Sequence, residues 1–380
     1  MLVFLFVVCI YISANYYLFH QLSAINTFGT IVDAIAGMII LFMTVAPVLL
    51  PIYEHRGSSG SVKIFSFICY IWLALLVPFF PLAVLLDLYN AGIRYAASLN
   101  LQLISLPVIS SESTLLTPFV ISLLITTYGY FEAKNIKVTR LTLQTGKLPE
   151  AVNRIRVAQI SDLHLRVIEG DGILDNVVTI LEGEKPDLIV STGDLMDGSI
   201  RHIQHLAEPL QRLQPPLGKF AVTGNHELYG GIKKTTRFIE DSGFTLLRGE
   251  AVTVENTLSI AGIDFTGGEA KKYSSDFQYR PEKEVLAGLP AGLFTLLLKH
   301  RSDVEKDSLG LFDLQLSGHT HRGQIFPMHL ATMFLFQHHT GFIELSKGSA
   351  IYVSRGTGTA GPPVRFLSAP EVTIIDIVAS

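Results

Sequence analysis

At 380 residues the chain has room for more than one domain, yet only 16% of it is charged and its mean hydropathy is +0.41, too apolar for an ordinary soluble enzyme. A net charge of −4 and a pI near 6.3 argue against a nucleic-acid partner, which would call for a basic patch or stripe. Both cysteines, Cys9 and Cys69, fall in apolar runs, so the rest of the chain holds no disulfide framework and agrees with a reducing compartment.

The apolar excess lies in the first third. Segments 2–19, 34–53, 64–86 and 115–131 each approach the roughly 17 to 25 residues that cross a bilayer, predicting four transmembrane helices within residues 1–132. The first run lacks the basic leader and small-residue cleavage site of a signal peptide and is read as uncleaved. Pro47, Pro51, Pro78 and Pro81 do not defeat the assignment, because neighbouring helices in a membrane re-satisfy freed backbone groups. Asp33, Asp87 and Glu112 sit at segment borders and read as solvated interface residues rather than an ion pathway. With four spans, Arg56 and Lys63 share a side with Lys134, Lys137 and Arg140, against Arg94 alone on the other. The excess of basic residues in cytoplasmic loops then puts the amino terminus and everything after Phe131 in the cytoplasm, in a multi-pass protein of the inner or plasma cell membrane.

Residues 133–153 read as a connector, polar and β-prone over 134–142. From 154 to 380 strands and amphipathic helices alternate. Strand 155–160, helix 173–181, strand 187–192, helix 203–213, the strand around Phe220 and helix 233–241, stopped by Gly243, predict a largely parallel sheet. Further strands are expected at 244–247, 251–254, 258–263, 351–354 and 372–377, giving an α/β domain of two packed sheets flanked by helices.

The chemistry gathers where these strands end. Strand 155–160 runs into Ser161-Asp162-Leu163-His164, 187–192 into Gly193-Asp194, and 219–223 into Gly224-Asn225-His226-Glu227. Strand 294–299 runs into His300, and 312–317 into Gly318-His319-Thr320-His321. Any one of these stretches alone reads equally well as a turn. Strands ending on one sheet edge bring their carboxyl-terminal loops into one crevice, and the repetition of ligand residue types there predicts a shared metal site. Asp162 with His164, and His319 with His321, are spaced i, i+2, so each pair is expected to face one cation. Oxygen and imidazole ligands suit manganese, iron or zinc rather than a cysteine-built structural zinc site.

This ordered set of motifs resembles the calcineurin-like metallophosphoesterase superfamily over roughly 154 to the carboxyl terminus. It is most similar to the membrane-anchored, YkuE-type branch, which shares the Tyr-Val-Ser-Arg-Gly-Thr-Gly stretch at 352–358. The resemblance implies a four-layer α/β/β/α sandwich with a dinuclear centre. It assigns Asp162, His164, Asp194 and His321 to one metal and Asp194, Asn225, His300 and His319 to the other, with Asp194 bridging. Lys299 and Arg322 depart from the commonest pattern and set two cations beside the centre, either to favour an anionic substrate or as solvated loop positions.

The expected function is hydrolysis of phosphoester or pyrophosphate bonds in a phosphorylated small molecule or a lipid-linked substrate. Two divalent ions lower the pKa of a bridging water, which attacks phosphorus in line. His226, not needed as a ligand, is expected to protonate the leaving oxygen or stabilise the equatorial oxygens, Glu227 to orient His226 or its turn, and Asp197 to act as a supporting residue or a helix cap. The alternative is a catalytically weak metal-binding sensor that signals through the helices.

One stretch stands apart. Residues 325–336, just after the His319 and His321 pair, are too apolar for a surface loop and too short to span a bilayer. Either they pack inside the domain as a short helix, or Met333, Phe334 and Phe336 dip into the membrane lipids of the cytoplasmic leaflet.

Overall fold

The computed structural model describes residues 2–25, 29–56, 59–99, 106–166, 170–197, 202–265 and 280–380. The amino-terminal third forms four helices, α1 (Leu2–Ile25), α2 (Thr30–Arg56), α3 (Gly60–Ser98) and α4 (Ser111–Lys134). Among the described residues three of them are long and apolar enough to cross a membrane, namely Ile31–Leu50 of α2, α3 and α4. The expected four spans are therefore corrected to three candidates. The later turns of α1 carry Asn15, His20 and Gln21, which interrupt its apolar run, and two of these face the bundle. Asn15 accepts a hydrogen bond from Trp72 Nε1 at 3.0 Å, and Gln21 donates to Asp87 at 2.9 Å. Asp87 lies well inside α3 rather than at a border, with the Tyr17 hydroxyl donating to it at 2.6 Å. Pro78 and Pro81 sit within the uninterrupted α3, as bundle packing allows.

The remainder builds two six-stranded sheets. The first is ordered β1 (Lys137–Thr145), β12 (Glu371–Ala379), β2 (Arg154–Ile160), β3 (Leu188–Ser191), β4 (Lys219–Ala221) and β5 (Thr245–Leu246). The second is ordered β10 (Gly341–Glu344), β11 (Ala350–Val353), β9 (Leu314–Ser317), β8 (Phe294–Lys299), β7 (Leu258–Ile263) and β6 (Glu250–Val254). Strands β2 to β5 run parallel, as do β7, β8, β9 and β11, so each sheet presents one edge of carboxyl-terminal loops. The segment read as a connector instead supplies β1, which pairs in parallel with β12 from Lys137↔Glu371 to Thr145↔Ala379.

Side-chain alternation sorts the core into layers. Ile155 and Val157 of β2, Leu188 and Val190 of β3, and Leu296 and Leu298 of β8 all point between the sheets. Their neighbours Ala158, Ile160 and Ile189 face outward onto α5 (Gly170–Glu184), α6 (Ala207–Arg212) and α8 (Ile232–Asp241). On the far side Leu297 packs with Val285 and Leu286 of α9 (Glu282–Leu286). The result is the expected α/β/β/α sandwich. A short α7 (Asn225–Tyr229) follows β4, and α10 (Met328–Leu335) follows the His319–His321 loop. The sandwich also rests on the bundle, because Ile325 and Val364 share an apolar cluster with Ala74 of α3, flanked by Ile71, Tyr130 and Phe366.

Candidate metal centre

All five strand ends named from the sequence converge at the common edge of the two sheets. The backbone there is unusual: Asp162 (φ 51°), His164 (48°), Asp194 (51°), His319 (71°) and His321 (47°) are left-handed. Non-glycine residues rarely adopt this region, and such conformations cost on the order of 1–3 kcal/mol each and gather at functional sites. This is also why Asp162 and His164 meet. Both lie beyond the end of β2, so the left-handed turns aim them, not the strand alternation expected from their spacing. Gly224 is required where it stands, since any Cβ there would strike the Asp194 carboxylate.

Side-chain atoms able to hold a metal form three overlapping groups, each with its atoms within 4.8 Å of one another: Asp162, His164 and His321; His164, Asp194 and His226; Asp194, His300 and His319. In the first, His321 Nε2 lies 3.0 Å from His164 Nε2 and 3.3 Å from an Asp162 oxygen. In the third, His300 Nε2 lies 3.0 Å from His319 Nδ1, 3.2 Å from Asn225 Oδ1 and 3.2 Å from Asp194 Oδ2. The His300 Nδ1–H donates to Thr192 O at 2.8 Å, which leaves the Nε2 lone pair facing the cluster, as a metal ligand requires. Imidazole nitrogens about 3 Å apart match two ligands sharing one ion at roughly 2.0–2.2 Å. The donor set therefore fits divalent metal.

Electrostatics agree. Burial would raise the Asp162 and Asp194 carboxyls, but the surrounding imidazoles hold both well below the usual carboxylate range. Burial works against charge on His300 and His226 as well; Asp194 outweighs it and raises His300 to about 9, and Asp194 with Asp197 raises His226 to about 10.

The residues around the ligands divide their work. Glu227, fully buried, accepts from the backbone N–H groups of Gly224 (2.7 Å), Asp194 (2.9 Å) and Leu195 (2.8 Å), so it orients the turn and not His226. His226 Nδ1 instead pairs with Asp197 Oδ1 at 3.0 Å, which gives Asp197 the supporting place. Lys299 is corrected: it alternates away from His300 along β8, and its ammonium is buried against Glu282 at 3.0 Å and Asp303 at 3.2 Å. Arg322, next in the chain after His321, lies in a left-handed turn (φ 49°) with its charge felt by His329 and His339.

Sequence reasoning missed Arg365, a fully buried guanidinium 3.0 Å from His321 Nδ1, and Ser161, whose hydroxyl donates to Asp162 at 2.5 Å. The 352–358 stretch hinted at the first. Thr357 and Gly358 donate backbone N–H groups to Ser161 O (2.7 Å) and Asp162 O (2.9 Å), bringing the segment that carries Arg365 against the ligand loop.

Two stacked sheets with a shared edge of aspartate, asparagine and histidine ligands define a metal-dependent phosphoesterase. The family profile described as calcineurin-like phosphoesterase matches residues 155–323. An uncharacterized metallophosphoesterase of Aquifex aeolicus is 39% identical over 258 residues, 68% of this chain and 97% of the relative. The chain belongs to the calcineurin-like phosphoesterase family. It is also 32% identical to the uncharacterized metallophosphoesterase YkuE of Bacillus subtilis, over 66% of this chain and 89% of that protein. A Danio rerio transmembrane protein with metallophosphoesterase domain is 30% identical over 67% of this chain, which spans 61% of that longer relative.

Proposed function

We propose that the protein binds two divalent cations, manganese, iron or zinc, and hydrolyses a phosphoester or pyrophosphate bond of a lipid-linked substrate at the cytoplasmic face of the membrane. The observation that carries the two-cation reading is the Asp194 carboxylate. Its Oδ2 lies 3.8 Å from His164 Nε2 on one side and 3.2 Å from His300 Nε2 on the other, the position of a bridging ligand. Asp162, His164 and His321 complete one set, and Asn225, His300 and His319 the other. When bound, a pair of such ions polarises the phosphoryl group and activates water. The chain's own contribution is His226, which Asp197 holds through Nδ1, so that Nε2 is the ring nitrogen we assign to a leaving oxygen.

Helix α10 supports the lipid-linked substrate. It has no buried residue; Phe334 is 90% exposed, and Met333 and Leu335 are also exposed, against the reading of an internal helix. Its start beside Ile325, which packs with Ala74 of the candidate span α3, supports a bilayer as the surface that covers it. At its far end Phe336 sets its edge against the His319 ring, with centroids 5.5 Å apart. Burial, and after it the charge of Arg322, lowers both His329 and His339, so the cation this rim offers a phosphate is Arg322 itself. The cytoplasmic orientation does not depend on whether α1 spans, because two candidate spans still separate Arg56 and Lys63 from Lys134, Lys137 and Arg140.

The test is hydrolysis of chromogenic phosphodiesters and phosphomonoesters with manganese, with metal content measured on the same sample. Turnover at two metals per chain is expected. No turnover at full occupancy would give the sensor reading instead.

A further inference from the structure

The ligand loops of the Asp162, His164 and His321 group back onto the membrane helices. Arg365 has none of its surface exposed. Its Nη2 donates to His321 Nδ1 at 3.0 Å, and Nε and Nη1 donate to the carbonyls of Gly358 (2.9 Å), Arg355 (2.6 Å) and Ser368 (3.1 Å). Five donors on a planar fork leave the guanidinium, and the ring it touches, one orientation. The backbone of the same residue is anchored to the bundle, because its N–H donates to Gly129 O of α4 at 2.9 Å. The contact is close-packed: a Cβ at Gly129 would lie 2.7 Å from both Arg365 O and Val364 Cγ1. Next along the chain, Phe366 meets Tyr128 of α4 edge to face at 6.0 Å.

A second strut runs from the Asp162–His164 loop. Arg166 sits over the Tyr70 ring of α3 at 5.0 Å and donates to Thr359 at 3.0 Å. The other ligand group is held differently. Its partner Thr192, and Phe265 and Phe336 beside its rings, all belong to the catalytic domain.

We propose that α3 and α4 form the back wall of one half of the metal centre, with Arg365 as the positioning residue that ties His321 to Gly129. The placement of the bundle then sets the affinity of the Asp162, His164 and His321 half-site and leaves the Asn225, His300 and His319 half-site unchanged. This inference rests on the two-cation reading. A membrane stimulus that shifts α4 would load or release one cation of the pair, an on–off control for chemistry that needs both.

The experiment titrates cobalt(II) into the metal-free full-length protein in nanodiscs, following its visible absorption, for the wild type, Gly129→Val, Arg365→Met, Arg365→Lys and Gly92→Ala. Gly92, in α3 of the same bundle but with open space around it, is the control. Wild type and control should bind two ions. Gly129→Val and Arg365→Met should weaken one of the two by ~10-fold to 100-fold, the range for a residue that supports a metal ligand, while the other keeps its affinity and Arg365→Lys recovers part of the loss. Should Gly129→Val fail to fold by circular dichroism, Gly129→Ala carries the same test, since its Cβ meets the same atoms. Equal weakening of both sites, or no weakening of either, overturns the inference and leaves the two-cation reading standing. A wild type that binds a single ion overturns both.

Discussion

At the scale of single residues, the roles of neighbouring polar groups separate by what each one touches. Asp194 Oδ2 lies between the Nε2 atoms of His164 (3.8 Å) and His300 (3.2 Å), whereas Asp197 pairs with His226 and lies 3.8 Å from the opposite ring nitrogen of His164, Nδ1. Asp194→Asn is expected to lose metal and nearly all activity, while Asp197→Asn keeps its metal and slows ~10-fold to 100-fold through a mispositioned His226. Metal analysis beside steady-state kinetics checks this, and unchanged metal content in Asp194→Asn would sink the bridging assignment. His226 stands within ligand range of His164 and Asp194, so its role is decided by removal. As a general acid, His226→Ala should leave metal content intact and depress kcat ~100-fold to 10,000-fold. Loss of metal from that variant would make His226 a ligand.

At the scale of an element, α10 is the part that the domain core does not account for. Its apolar residues face outward, and a helix with an unburied apolar face is stable where lipid covers that face. The chain holds a single native tryptophan, Trp72, so a Phe334→Trp variant in nanodiscs of brominated lipid reports on α10 by the quenching added to that of Trp72. Strong added quenching is expected; none would place α10 in water. Replacing Met333 and Phe334 together by serine should slow hydrolysis of a lipid-linked phosphate while sparing a small soluble phosphodiester. Phe336 is left untouched in this test because it also packs on His319.

At the scale of the whole molecule, metal and stability are linked. In the metal-free protein His300 is opposed by burial but raised to about 9 by Asp194, above the roughly 6.5 of an unfolded histidine. Its protonation therefore contributes stability that is complete below pH ~6.5 and is lost as pH rises through about 9. A bound cation displaces that proton and does not share the loss. The rise in Tm on adding manganese to chelator-treated protein should accordingly grow between pH 6.5 and 9. A rise that stays flat across this window would mean that His300 is not a ligand.

The local signals were legible because each is a short-range event. An apolar run that stops at Asp, Asn or His marks a strand delivering chemistry to a loop, and β7 and β8 fall on the very residues 258–263 and 294–299 read from alternation and composition. The ligand residue types and their strand ends followed from the same reading, and the family from their order. What only the tertiary structure decided depends on contacts between segments far apart. Lys299 precedes His300 but alternates outward to Glu282, so adjacency in sequence put it on the wrong side of the sheet. The segment before Arg154 looked like a linker until β12, more than 200 residues later, supplied its partner strand. The 352–358 stretch points to the segment that carries Arg365 but not to the residue; its meaning comes from His321 on one side and Gly129 on the other, brought together by packing of the sandwich against the bundle.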